Sequence, residues 1–186
     1  MNTPNEYIAH TKAWIQKVVI GLNFCPFAIK PFLNESIHYE VVEGDKTFTI
    51  LEKFILECIR LDQNESLETS FVILPKKFDD FNNYLNLLEL AEALLKKEGY
   101  EGIYQIASFH PSYKFRGATE FDPSNFTNRS PYPMLHILRE SSIEKVIMKG
   151  TASAIPQNNI LKTNALGLKY MKNIWEECFI YSNKKQ

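Results

Sequence analysis

Thirty residues, His110 to Arg139 (HPSYKFRGATEFDPSNFTNRSPYPMLHILR), hold three of the four arginines, two of the four histidines and four of the nine prolines. Basic charge elsewhere is nearly all lysine, a flexible and strongly hydrated surface cation. Arginine is the planar donor suited to fixed contacts with carboxylate or phosphate. The segment therefore reads as a site. Its histidines His110 and His136, together with Cys25 further upstream, are the candidate catalytic groups: imidazoles that hold or move a proton near neutral pH, and a thiol that attacks where its surroundings favour the thiolate. Arg116, Asn128, Arg129, Ser130, Tyr132 and Arg139 are the candidates for holding substrate, and the partner they suit is an anionic small molecule. No metal is expected. Were one bound, Cys25, His110, His136 and Glu140, or Asp122 in its place, would be the ligands, one thiolate and two imidazoles suiting zinc or another transition metal. The sequence lacks the H-x-E-x-H, H-E-x-x-H and C-x-x-C clusters that make such an assignment specific.

Each of these residues also has a plainer reading. Cys25, flanked by Phe24 and Phe27, fits a small buried hydrophobe. His110 fits a histidine satisfied by a backbone carbonyl, and His136 a solvated position on an amphipathic helix. Arg129 and Arg139 fit ties from a long loop to carboxylates such as Asp122 or Glu120. His10 and His38 stand alone and read as structural or exposed. No G-x-G-x-x-G, G-x-x-x-x-G-K-S/T or G-x-S-x-G occurs, and only seven glycines are present, so the residues name no cofactor.

The bulk composition sets the frame. A chain of 186 residues with 45% hydrophobic and 13% aromatic content can bury roughly 70% of its unfolded surface as one domain, and a single globular domain over 1–186 is expected. The net charge of −1, from 21 basic and 22 acidic residues, provides no global field for nucleic acid or an anionic membrane. Neither is an expected partner. The start MNTPNEYIAHTKAW has no basic segment leading into an apolar run, and no segment approaches the roughly 18 apolar residues that span a bilayer. Three cysteines, odd in number and far apart, argue against a disulfide framework. The expectation is a soluble, cytoplasmic protein.

The elements that must position the site follow from periodicity. Ile8, Thr11, Ile15, Val18, Val19 and Leu22 predict a first helix from about Asn5 to Leu22, ended by Gly21 and Pro26. Ile37, Tyr39 and Val41 alternate with His38 and Glu40 as a strand. Gly44 and Asp45 turn into a helix with an apolar stripe of Phe48, Leu51, Ile55, Cys58 and Ile59, and DQNES follows as a loop. Phe71 to Leu74, stopped by Pro75, fits a central strand. Asp79 or Asp80 caps a helix running to Lys97 and Gly99. Gly102 to Phe109 is a third strand. Ser130 followed by Pro131 predicts a new helix with Tyr132, His136, Arg139 and Glu140 on one side, His136 within reach of Glu140. Ser141-x-x-Glu144 restarts or continues it, and Pro156 opens a last helix ending near Tyr181. The fold class is α/β (or α+β): a small parallel or mixed sheet of about three strands covered by helices.

Between the third strand and the predicted helix lie about twenty residues without periodicity, long for a compact domain unless ordered for function. Tyr113, Phe115, Phe121 and Phe126 anchor it, so Arg116, Asp122, Ser124, Asn125, Asn128 and Arg129 are expected near one another beyond the strand end, where α/β sheets hold ligands. The start of the predicted helix adds an anion site.

Asn23-Phe-Cys-Pro-Phe-Ala28, Ala107-Ser-Phe-His-Pro111 and Thr127-Asn-Arg-Ser-Pro-Tyr-Pro-Met-Leu-His-Ile-Leu-Arg-Glu140, in this order over nearly the whole chain, resemble a family of bacterial proteins known only as a domain of unknown function. The resemblance implies no activity or substrate. It implies only that these three blocks are where to look. The leading expectation is a small enzyme acting on an anionic small molecule in a His/Arg-lined pocket. The alternatives are a noncatalytic small-ligand or transition-metal binding protein and a protein-interaction module.

Overall fold

The fold was analysed in a computed structural model, which describes residues 2–44, 46–147 and 154–180. Helix α1 (Pro4–Trp14) opens on a capping box in which the Thr3 hydroxyl accepts from the Glu6 amide and the Glu6 carboxylate accepts from the Thr3 amide at 2.7 Å. It buries Tyr7, His10, Thr11 and Trp14 and continues as a π-helical turn over Ile15–Ile20. Gly21 follows because nothing larger fits: a β-carbon there would stand 2.3 Å from the Lys17 carbonyl oxygen. Pro26 opens a short 3-10 turn, Pro26–Ala28, followed by α2 (Ile29–Leu33).

The next elements match the periodicity. They are β1 (Ile37–Val41), α3 (Thr47–Gln63), β2 (Thr69–Ile73), α4 (Phe81–Lys97) and β3 (Tyr104–Phe109). Asp80 caps α4 by accepting from the Asn83 amide at 2.9 Å, and Gly99 adopts the left-handed φ of 82° that closes its end. Of the expected Gly44–Asp45 turn, Asp45 lies outside the described residues.

The segment after Ser130 departs from expectation. Met134–Arg139 forms a fourth strand, β4, and the helix α5 (Glu140–Ile147) starts only after it. Two causes combine. Ser130 and Tyr132 each precede a proline, which pushes both towards extended backbone and away from a helical start. A strand buried on both faces also shows no alternation of polar and apolar residues, so MLHIL satisfies a helical period equally well. Helix α6 (Ile155–Glu176) carries Pro156 in its first turn and kinks at Gly167, and a 3-10 turn over Glu177–Phe179 follows. Its expected end at Tyr181 lies outside the described residues.

The four strands form one mixed sheet in the order β1-β2-β4-β3. β1 and β2 are parallel and joined through α3, whereas β4 runs antiparallel to both β2 and β3. One face packs Val72, Leu135, Ile137 and Tyr104 against α3 and α4. The other packs Phe71, Ile73, Met134 and Phe109 against Trp14 and Val18 and against Met171 of α6. Strand β4 lies in the middle, so its residues alternate between the two cores.

Candidate functional site

The loop from His110 to Arg129 folds back firmly, but it spends its polar groups on itself. Arg129, only 8% exposed, donates from Nε to the Tyr113 carbonyl (3.1 Å) and from Nη2 to the Glu120 carbonyl (2.8 Å), with its guanidinium over the Phe126 ring. Its partners are backbone carbonyls, not the carboxylates of Asp122 or Glu120. The fully buried Asn125 accepts from the Phe115 amide at 3.1 Å and donates to the Thr119 carbonyl at 2.8 Å. Asn128 donates to the Ser108 carbonyl at 3.1 Å, and Asp122 caps the turn Pro123–Thr127 through the Ser124 amide at 2.9 Å. A chain without regular structure must satisfy its buried amides and carbonyls with side chains, and these residues do so. Ser130 is turned the same way, donating to the Tyr132 carbonyl at 2.6 Å. Without a helix at Ser130, its expected anion site is absent. Arg116 sits exposed on the loop with no hydrogen bond or ion pair among the described residues.

His110 is part of this framework. It is fully buried; Nε2 lies 2.7 Å from the Phe78 carbonyl, which can only accept, so Nε2 carries the proton and Nδ1 accepts from the Ser112 amide at 2.9 Å. Burial lowers its pKa, and both nitrogens are committed. It also fixes Phe78, a non-glycine residue at φ 66°. Arg139 reaches the Leu61 and Leu67 carbonyls through Nη2 and the Tyr104 hydroxyl through Nη1, tying β4 to the end of α3. Tyr132 meets His10 Nδ1 at 2.6 Å. Glu140 opens α5 directly after Arg139, while His136 pairs with Phe71 in the sheet, and no ion pair joins Glu140 to a histidine among the described residues.

Cys25 is half-buried beside the turn at Pro26. Burial pushes its thiol above the ordinary value against the hydrogen bonds of the Phe27 and Ala28 amides, which disfavours the thiolate a nucleophile needs. Among the described residues no three histidine, cysteine, aspartate or glutamate side chains converge as metal ligands. His110 packs on Phe81 and Tyr84 of α4, while His136 faces the α1 side of the sheet. The expected cluster is thus divided between two sides. Two hollows, of about 280 and 610 Å³, lie along α4, one lined by Asp79, Asp80 and Asn83 and by Phe78, whose carbonyl His110 holds, the other by Glu89, Glu92, Gln105 and Glu140; neither is lined by His110 or His136 itself.

His136 keeps an uncommitted nitrogen. Its Nε2 lies 2.7 Å from Thr69 Oγ1, and that hydroxyl also lies against the Ile137 carbonyl. A carbonyl only accepts, so the hydroxyl proton goes to Ile137 and the hydroxyl oxygen accepts from Nε2–H. The tautomer is therefore fixed with the lone pair on Nδ1, which makes no hydrogen bond among the described residues. Burial pushes the imidazole pKa down to about 3, so the ring is neutral at pH 7.

The surroundings of His136 form a row across the sheet. Tyr39, Phe71 and His136 occupy paired positions on β1, β2 and β4. Their rings stack nearly parallel: Tyr39 to Phe71 at 5.9 Å and 8°, Phe71 to His136 at 3.8 Å and 7°. The fourth position, on edge strand β3, is Ala107. Phe109 stands beyond it, its ring 6.0 Å from His136 and tilted by 41°. Sequence reasoning missed Thr69, Phe71 and Ala107, because only strand pairing brings them to His136. A helical reading of 130–139 hid that pairing.

Among the described residues no helix is long and apolar enough to cross a membrane. No curated protein and no solved structure matches the chain. The family model described as "Protein of unknown function (DUF1415)" matches residues 6–173, a span that takes in all three motif blocks, and the chain belongs to that family.

Proposed function

We propose that the protein binds a planar small molecule over Ala107, against the free face of His136. The observation that carries this reading is the ring row that stops one strand short of the sheet edge. Neighbouring strands lie about 4.8 Å apart, so rings at paired positions stack across a sheet. Tyr39, Phe71 and His136 do so, and the next position offers only a methyl group, half-exposed. A flat ligand completes the ladder there, gaining about 0.5–1.5 kcal/mol of ring–ring attraction beyond the apolar area it covers.

One polar group adds direction. His136 Nδ1 is a neutral acceptor for a ligand N–H or O–H. Trp14 packs edge-on against both Phe71 and Phe109 and closes the aromatic wall beside it. As so weak a base, His136 suits hydrogen-bond acceptance better than proton abstraction, whose ideal pKa lies near the working pH. The arginines that would hold an anionic substrate, Arg129 and Arg139, are occupied by backbone carbonyls. The function supported best is therefore binding of a planar ligand, ahead of turnover of an anionic one.

The test is a titration with benzimidazole, a planar ring with an N–H donor and an acceptor nitrogen, followed through the Ala107 methyl signal in carbon-edited NMR. The reading expects an upfield shift as the ring covers the methyl, and, followed through the ligand's own proton signals, loss of binding in Ala107→Phe, where a protein ring fills the gap. An unmoved Ala107 methyl, or equal binding by a folded Ala107→Phe, refutes it.

A further inference from the structure

Glu57 lies in the buried stripe of α3 among Phe54, Cys58 and Leu61 and is 1% exposed. A carboxylate in that position is costly unless each oxygen is partnered, and an apolar residue would pack there without partners. Glu57 has three donors. Oε2 accepts from His38 Nδ1 (2.5 Å) and Ser70 Oγ (2.6 Å), and Oε1 accepts from Arg60 Nε (2.9 Å). Burial alone would raise the carboxyl pKa, but the hydrogen bonds from His38, Ser70 and Arg60 outweigh it and hold it at about 2. The group is ionised and can only accept.

The proton on this edge of the imidazole therefore sits on His38 Nδ1, and in the neutral ring the lone pair is on Nε2. Ser70 is fully buried and its hydroxyl proton is spent on Glu57. His38 is different: its side chain is 29% exposed, and Nε2 has no hydrogen bond among the described residues. Paired positions on β1 and β2 place His38 beside Ser70, on the sheet face opposite His136. The other charged groups around it are Arg60 on Glu57 and the Lys53–Glu40 pair at 2.9 Å. A carboxylate that fixes the tautomer and stabilises the imidazolium, with the far nitrogen open to solvent, is the arrangement of a nucleophilic or general-base histidine.

We propose that His38 is a second reactive centre, a nucleophilic imidazole positioned by Glu57, whose substrate class is activated acyl esters. Nε2 attacks the ester carbonyl carbon, and the carbon–oxygen bond to the leaving group breaks, the departing oxygen keeping the electron pair. The acylimidazolium that forms keeps its Nδ1 proton on Glu57. Water then adds to the acyl carbon and gives up a proton to solvent, and the carboxylic acid departs, returning the neutral imidazole. Ester and water become acid and alcohol.

The experiment is release of p-nitrophenolate from p-nitrophenyl acetate by the full chain. Wild type should exceed an equal concentration of free imidazole by about a hundredfold at pH 7, the low end of what a positioned group contributes. His38→Gln should lose that excess. Glu57→Gln should slow the reaction and Glu57→Asp, which keeps the carboxylate, should restore part of the rate; a carboxylate needed only for folding would leave the two folded variants equally fast. Brief treatment of wild type with diethyl pyrocarbonate, mapped by mass spectrometry, needs no variant and should modify His38 before His10, His110 and His136. Wild type no faster than imidazole, a folded His38→Gln with undiminished rate, or first modification at another histidine overturns the proposal.

Discussion

Replacing His136 by phenylalanine separates the proton held off this residue from the ring it contributes. The substitution keeps a ring between Phe71 and Ala107 and removes the titrating group. In the native protein burial depresses the imidazole from 6.5 to about 3, so between those values the unfolded chain binds a proton that the folded chain refuses. Stability is therefore full above pH 6.5 and is lost as pH falls towards 3. Each pH unit is worth about 1.4 kcal/mol, or about 3 kcal/mol at pH 4. The ring edge is not sealed from water, which trims this to roughly 2–3 kcal/mol. His10 and His110 are also depressed by burial but titrate alike in both proteins and cancel in the difference. At pH 7 the variant should lose about 1 kcal/mol, the net worth of the bond to Thr69. Urea unfolding at pH 7 and pH 4 measures both numbers. Wild type should lose about 2–3 kcal/mol more than His136→Phe on acidification, so the variant should be the more stable of the two at pH 4. Parallel pH dependence in the two proteins would mean that native His136 takes up a proton freely, and the argument from burial would fail.

Other substitutions test the framework. Gly21→Ala places a β-carbon 2.3 Å from the Lys17 carbonyl oxygen and should lower Tm by roughly 4–8 °C, the equivalent of about 2 kcal/mol; an unchanged melt would show that the π-helical turn yields easily. Arg129→Ala leaves the Tyr113 and Glu120 carbonyls without their donor, so it should cost about 2–4 kcal/mol and speed amide exchange through 110–129, while benzimidazole binding at Ala107 stays as in wild type. Loss of that binding with the loop still protected would contradict the structural role given to Arg129. Cys25, its thiol raised by burial, should react with a disulfide reagent at pH 7 more slowly than a free thiol, and reaction as fast as a small-molecule thiol would restore it as a candidate nucleophile.

Local signals made most of the scaffold legible. Thr3 and Glu6 mark the start of α1, Asp80 and Gly99 bracket α4, and the alternation around His38 marks β1; in each case the residue acts on its own neighbours in the chain. The fourth strand was not legible, because burial of both its faces erases alternation and Ser130-Pro131 imitates a helix cap. That one misreading displaced the functional residues. As a helix, the segment would pair His136 with Glu140, whereas as a strand it pairs His136 with Phe71 and Ala107, residues far away in sequence. The loop was rightly expected to be ordered, but the same density of Asn, Arg and Ser that suggests a ligand site also serves a loop that must satisfy its own backbone. One signal was available and unread: Glu57 falls on the apolar stripe of α3, and a carboxylate on such a stripe requires partners. His38, which alternation places on the face of β1 opposite Ile37 and Tyr39, is one of them.

Ligand binding over Ala107 requires His136 to offer a bare, neutral nitrogen to the sheet face. Nitrogen-15 NMR of the imidazole at pH 7 reads this directly. A protonated Nε2 and an unprotonated Nδ1, unchanged down to pH 4 and with Nδ1 shifting as benzimidazole is added at pH 7, is the predicted spectrum. A proton on Nδ1, or an imidazolium at neutral pH, would contradict it.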